Sequence, residues 1–265
     1  MKNDQSLSKV PNLINAKSVP NIDASELNSK EFYQEYILKN KPCLIKGAIK
    51  HWPAYSNWKN LDFLKSKIND EVVSTFTKPQ LITDLGFISS EQRKDKALNE
   101  QPKSQQSTFK EVIDQINDYD FLMTELPYKK LMSDLGTFEF KQELGKEGLN
   151  YNTYAVMLHK KSLSALHYHP YTDALMCQLF AKKRVILFAP KTKNWNGLNE
   201  YLSHESKWWD LDHKKYTSLS QIEPYEVIVE SGDALFIPNW WWHLVESIDN
   251  EVGFTIPHWW HSPLR

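Results

Sequence analysis

Cysteine is nearly absent from this chain, with Cys43 and Cys177 the only two in 265 residues. Each lies inside an apolar run and reads as a small buried hydrophobe. Two such thiols make no disulfide framework, which excludes the small stapled secreted folds and points to a reducing cytoplasm. Net charge is missing too: 32 basic side chains stand against 33 acidic ones. Nucleic-acid binding rests on a basic face, and no surplus is present to build one. The first residues, Met1-Lys2-Asn3-Asp4-Gln5, lack the apolar stretch of a secretory signal. No apolar run approaches the ~20 residues a membrane-crossing helix needs. Together these absences predict a cytoplasmic protein with no membrane partner. No internal repeat is visible.

What the chain has in quantity is tryptophan. Seven of its ten fall late, at Trp208, Trp209, Trp240, Trp241, Trp242, Trp259 and Trp260. Rings of this size mostly serve packing. A wall for a flat or apolar substrate is the sharper alternative, and Trp208, Trp209 and Asp210 stand together ahead of the last apolar runs.

Residues 1–20 read as a loose lead-in. Asn28 and Ser29 offer a helix cap ahead of Phe32, Tyr36 and Ile37. Residues 42–49 form a short strand-like run, and residues 61–68 a helix with Leu61, Leu64 and Ile68 on one face. Residues 88–108 are polar and read as a loop or lid. Thr108 and Glu111 make a capping box. The texture changes at residue 150. Apolar runs at 154–158, 175–180, 185–188, 226–229, 234–237 and 252–256 read as strands. Six short strands with no long helix between them predict a sandwich or closed barrel. The expected organisation is one domain over 21–265, with a mostly helical part at 21–149 wrapped on a barrel core at 150–265.

Among the nine histidines, His167 and His169 stand at i and i+2, which in a strand places both on one face. His243 follows a Gly232-Asp233 turn and the apolar run 234–237, a layout that returns the chain to the barrel mouth. Three imidazoles converging there suit a divalent metal. An isolated histidine is more often packed or exposed than a ligand, and on those grounds His51, His159, His204, His213, His258 and His261 are read as structural or surface residues.

The segment His167-Tyr168-His169-Pro170-Tyr171 … Gln178 … Lys183-Arg184-Val185-Ile186-Leu187-Phe188 … Pro190 resembles the first half of the jumonji C hydroxylase motif. Gly232-Asp233 … Phe236-Ile237-Pro238 … Trp242-His243 … Val245-Glu246-Ser247 is similar to its second half. The likeness extends upstream through Pro42, Ile45-Lys46-Gly47-Ala48, Trp52-Pro53-Ala54 and Trp58. It implies a double-stranded β-helix, the cupin-type barrel, and the chemistry of Fe(II) and 2-oxoglutarate-dependent oxygenases. The branch resembled includes the asparaginyl hydroxylase that inhibits hypoxia-inducible factor and the transfer-RNA wybutosine hydroxylase. His167 and His243 match the family's two histidine ligands. Lys183 matches the lysine that pairs with the far carboxylate of 2-oxoglutarate, and Ser164 a hydroxyl that helps hold it. No catalytic side chain is expected beyond the metal ligands.

The pattern breaks at three places. His169 stands where the family has an aspartate, which removes one negative charge beside the metal. Asp173 has the parity to supply a carboxylate instead, if the strand is regular. Phe121 occupies what looks like the place of a family tyrosine that contacts 2-oxoglutarate, and Ala174 or Asp173 stands where the family has an asparagine near the metal. Gln178, Trp242 and Glu246 complete the set of candidate neighbours, with Glu246 able to orient a ligand imidazole or to stand exposed on its strand. Three functions therefore remain open. The first is an Fe(II)/2-oxoglutarate hydroxylase. The second is a three-histidine enzyme without 2-oxoglutarate, either thiol-dioxygenase-like or a zinc site activating water. The third is a barrel that binds metal or peptide without turnover. Zn, Ni and Cu suit the same imidazoles, and the substrate stays open among protein, RNA and small metabolite.

Overall fold

A computed structural model describes residues 7–80, 99, 101–141, 152–190 and 211–264. The first half supplies strands β1 (Lys17–Ser18), β2 (Asn21–Asp23), β3 (Cys43–Lys46), β4 (Val72–Phe76), β5 (Gln105–Thr108) and β6 (Leu122–Leu126). The second supplies β7 (Asn152–Tyr154), β8 (Val156–Lys160), β9 (Thr172–Phe180), β10 (Lys183–Phe188), β11 (Tyr225–Val229), β12 (Ala234–Ile237), β13 (Trp242–Ser247) and β14 (Val252–His261). They form two sheets. The smaller runs β1-β11-β10-β13; the larger runs β2-β3-β12-β9-β14-β8-β6-β4-β5, with β7 beside β14. This is the mainly β, double-stranded β-helix architecture expected.

Alternation along each strand decides what faces the space between the sheets. On β10, Val185 and Leu187 join Met176, Val227, Leu235, Ile237 and Val245 in the barrel interior. Their neighbours Ile186 and Phe188 pack outward with Leu7, Val10 and Leu244. The outer face of the larger sheet offers Leu175, Cys177, Phe236, Phe254 and Trp260 to a helical layer carrying Phe32, Trp52, Trp58, Leu64 and Phe109. Strands covered on both faces read as near-continuous apolar runs, and β9 is buried at every position from Asp173 to Leu179. Both cysteines lie in these strands, fully buried and unpaired, and burial pushes both thiols upward from their ordinary range.

Local signals fix the helical layer. Asn28 accepts from Glu31 N and caps Ser29–Glu31, which runs on into a π turn at Phe32–Ile37. Leu61–Ile68 is helical, with Leu64 and Ile68 buried. The Thr108–Glu111 capping box opens Phe109–Asp114. Gly232, at φ 93, makes the turn that lets Asp233 accept from Gly47 N at 2.9 Å and Lys46 Nζ at 2.8 Å, tying β12 to β3.

Three expectations are corrected. Residues 7–20 are not a loose lead-in, because Leu7 and Val10 are buried and β1 pairs in parallel with β11. Residues 105–108 of the supposed lid form β5 against β4; residues 88–98 and 100 lie outside the described residues. The part at 21–149 does not simply wrap the barrel core with helices, since its strands β2 to β6 extend the larger sheet. Strands of two to five residues carry too little periodicity to announce themselves.

Candidate metal centre

His243 lies on β13, and its parity is shared by Val245 and Ser247. Residues 162–169 run alongside without forming a regular strand. Their bridges pair Leu163 with Glu246 and His167 with His243. Four steps on one side (163 to 167) therefore span three on the other (243 to 246), a bulge that re-aims the side chains. His167 N donates to His243 O at 3.2 Å and His243 N returns to His167 O at 2.8 Å. Trp240, at φ 67, donates its N–H to His169 O at 2.9 Å. A regular strand was expected beneath His167 and His169. The bulged segment still turns both rings to one side.

One donor atom from each of His167, His169 and His243 lies within 4.8 Å of the others. Ring centroids are 4.1 Å apart for His167 and His243, 5.3 Å for His167 and His169, and 5.1 Å for His169 and His243. His167 Nδ1 meets Ala165 O at 2.7 Å, and His243 Nδ1 meets Trp241 O at 2.9 Å. A carbonyl only accepts, so both Nδ1 atoms carry the proton and each Nε2 is left with its lone pair free to hold a metal. His169 Nδ1 is buried with no hydrogen-bond partner among the described residues, a cost that ligation removes. Burial, then the neighbouring imidazole of His167, lowers His169 to about 3, and His243 lies well below its ordinary value for the same reasons. Three imidazoles converging in this way fit a divalent transition metal.

The cluster opens on a cavity of about 240 Å³. Met123, Met157, Met176, Ile237, Pro257 and Trp259 wall it, and Lys183 lies in its lining. No carboxylate lines it among the described residues. Lys183 follows the inward parity of Val185 and is buried, whereas Lys182 turns out to Glu230 at 3.2 Å. Lys183 Nζ donates to the hydroxyls of Ser162 and, at 2.9 Å, Ser247. Desolvation lowers its pKa to about 7, against the smaller upward pull of Asp249 and Glu246. Ser164 also lines the cavity; its Oγ accepts from Val245 N at 3.1 Å.

The other candidates fall elsewhere. Asp173 is buried, but its Oδ1 accepts from Asn239 N at 2.9 Å and it is not part of the histidine cluster. Desolvation lifts it to about 6, opposed by hydrogen bonds from Asn239 and Ser262. Ala174, its neighbour, faces the cavity instead. Glu246 is neither exposed nor near an imidazole: it pairs with Arg184 and accepts from Leu7 N at 3.1 Å. Phe121, one residue before β6, packs in the outer cluster and is absent from the cavity lining, which Met123 reaches. Trp242 also points outward, its ring 4.6 Å from that of Tyr168. Gln178 is buried beyond Lys183, bonded to Thr255 at 2.7 Å. Trp208, Trp209, Asp210 and His204 lie outside the described residues. Ser162, Ser247, Thr255 and His159 were missed: Ser162, Thr255 and His159 line the cavity, and Ser247 bonds Lys183 behind it. Two-residue spacing from Ser164 and His243 marks the first two, and no local signal marks the others.

A family model described as "Cupin-like domain" matches residues 29–265. The chain is 29% identical over 242 residues to JmjC domain-containing protein D of Dictyostelium discoideum, covering 84% of this chain and 52% of that one. It is 27% identical over 264 residues to Jumonji C domain-containing protein 5 of Drosophila melanogaster, covering 91% and 59%. It is 38% identical over 91 residues to human tRNA wybutosine-synthesizing protein 5, covering 34% and 29%. The chain thus spans little more than half the length of the first two relatives. No helix among the described residues is long and apolar enough to cross a membrane.

Proposed function

The chain belongs to the cupin-like domain family, and on that footing we propose that it is a metal-dependent oxygenase, an Fe(II) and 2-oxoglutarate hydroxylase with three histidine ligands. The observation that carries this reading is the charge balance of the cavity. Three imidazoles and Lys183 line one cavity, and among the described residues no carboxylate lines it with them. A divalent ion and an ammonium group in one buried space call for an anion that reaches both. A dicarboxylate with a 2-oxo group meets that demand: one end chelates the metal, the other takes the Lys183 N–H.

Iron held by His167, His169 and His243 would supply oxygen activation coupled to oxidative decarboxylation of the 2-oxo acid. The protein's own part is positional. Lys183 and the serine hydroxyls fix the far carboxylate, the backbone carbonyls of Ala165 and Trp241 hold two imidazoles in orientation, and the methionine wall with Trp259 excludes water.

Histidine in place of a ligating carboxylate favours a second reading, a three-histidine oxygenase that binds its substrate directly and leaves 2-oxoglutarate unused. Succinate separates the two. The iron-loaded protein is expected to convert 2-oxoglutarate to succinate, even without a second substrate and at a reduced rate. Oxygen uptake with bound iron but no succinate above a metal-free control selects the second reading.

A further inference from the structure

Behind Lys183 the buried polar groups form one continuous chain. Lys183 Nζ donates to Ser247 Oγ at 2.9 Å, and Ser162 N donates to the same oxygen at 3.1 Å. Ser247 Oγ lies 3.5 Å from His159 Nδ1. His159 Nε2 lies 3.0 Å from Thr255 Oγ1, which donates to Gln178 Oε1 at 2.7 Å. Gln178 Nε2 donates to Phe180 O. His159 sits on β8, Gln178 on β9, Lys183 on β10, Ser247 on β13 and Thr255 on β14, so the fold assembles what the sequence scatters.

Donor and acceptor rules fix the direction of the chain. The carbonyl of Phe180 can only accept, so Gln178 turns its amide nitrogen there and its oxygen to Thr255. Thr255 spends its single proton on that oxygen. Gln178 Nε2 also lies 3.3 Å from His159 Nε2, so the tautomer is decided at the other end. Ser247 Oγ takes Lys183 and the Ser162 amide on its two lone pairs, its own proton goes to His159 Nδ1, and Nε2 carries the ring proton toward Thr255 Oγ1. Lys183 retains its third N–H and Ser162 its hydroxyl proton, and both residues line the cavity. His159 is itself tightly confined. It pairs with Gly253 on β14, where an added Cβ would come within 2.3 Å of His159 Cε1, so only glycine leaves room for the ring.

We propose that His159 is a positioning residue for the anionic ligand of this cavity: it locks the Ser247 hydroxyl so that Lys183 and Ser162 keep two donors for one carboxylate. The proposal deepens the co-substrate reading above and rests on it. His159 was read from sequence as structural, and burial does hold its pKa well below the ordinary histidine value, with Lys183 adding to the effect. A neutral ring is what the chain requires. Its role is to give that ring one tautomer.

The tautomer is read first, by long-range proton–nitrogen correlation spectra of the metal-free protein. Protonated Nε2 with bare Nδ1 is expected; the opposite assignment overturns the proposal. Affinity for 2-oxoglutarate is then measured calorimetrically on zinc-loaded protein, which binds without turnover. His159→Asn places a carbonyl oxygen near Nδ1 and is expected to bind within about threefold of wild type. His159→Gln, which reaches the Nε2 position instead, and His159→Phe are expected to lose roughly tenfold, the equivalent of one hydrogen bond. Ser247→Ala should lose a similar factor, and the His159→Phe/Ser247→Ala pair no more than either alone. If the phenylalanine variant does not fold, the asparagine–glutamine contrast and Ser247→Ala decide. A histidine that merely packs gives the other pattern, with lowered melting temperature and wild-type affinity throughout. Wild-type protein that binds no 2-oxoglutarate defeats the co-substrate reading and this inference with it. Wild type that binds no better than the glutamine variant defeats this inference alone.

Discussion

Replacing His243 by alanine is expected to weaken binding of a divalent ion by more than about a hundredfold. Even the loss of a partner that orients a metal ligand costs roughly 10- to 100-fold, and His243 is a direct donor with its ring already fixed on Trp241 O. The same fixing applies to His167 through Ala165 O, so His167→Ala should cost as much. His169 differs. Its Nδ1 has no partner among the described residues, so less orientation is lost with it, and His169→Ala should retain weak binding. His169→Asp should bind at near wild-type strength, since a carboxylate serves the same metals. Zinc titration of the metal-free variants measures the order, with circular dichroism to show that each is folded. Equal affinities for wild type and His243→Ala would mean that the ion, if any, sits elsewhere.

Lys183→Met is the second large effect, and it runs in opposite directions for binding and for stability. Truncating one partner of a buried charge pair costs about 2–5 kcal/mol, so 2-oxoglutarate affinity should fall roughly a hundredfold or more. Without ligand, Lys183 is an ammonium held out of water, and desolvation lowers its pKa from 10.5 to about 7. Below pH 7 the group is charged in both folded and unfolded chains, and the folded protein bears the full burial penalty. Between pH 7 and 10.5 the folded form sheds its proton first, the unfolded chain binds more protons, and the penalty fades. Lys183→Met should therefore raise the melting temperature of the ligand-free protein most at pH 6, with the gain shrinking as pH climbs past 7. For wild type the same deprotonation predicts that 2-oxoglutarate affinity declines above about pH 7. Unchanged melting and unchanged affinity in Lys183→Met would place the ammonium outside the cavity's chemistry.

The sequence made the barrel half of the fold readable and the amino-terminal half less so, for a physical reason. Strands buried on both faces are unbroken apolar runs, so Ala234–Ile237 and most of β9 and β10 could be marked from residues alone. The strands β4, β5 and β6 join the edge of the larger sheet through short, half-polar stretches that resemble loops. At the site, two-residue spacing brought His167 and His169 together on paper, and the fold keeps them together just past a bulge at 163–167 rather than on a regular strand. Parity failed for Asp173, which points to Asn239. Glu246 meets Arg184 and accepts from Leu7 N, 239 positions away in the chain, a contact its own strand does not announce. His159 was unreadable as a pocket residue because only the pairing of β14 with β8 and β9 sets Thr255 and Gln178 beside it.

The backbone pair formed by His167 and His243 carries a further consequence. These residues exchange both amide bonds while their rings point to one place, so a bound metal would become a rivet through a stretch of the barrel wall held only by isolated bridges. Opening that stretch then requires breaking coordination as well as two hydrogen bonds. The amides of His167 and His243 should accordingly trade protons for deuterium far more slowly once the ion is in place, while amides on the remote β4–β5 ribbon keep their pace.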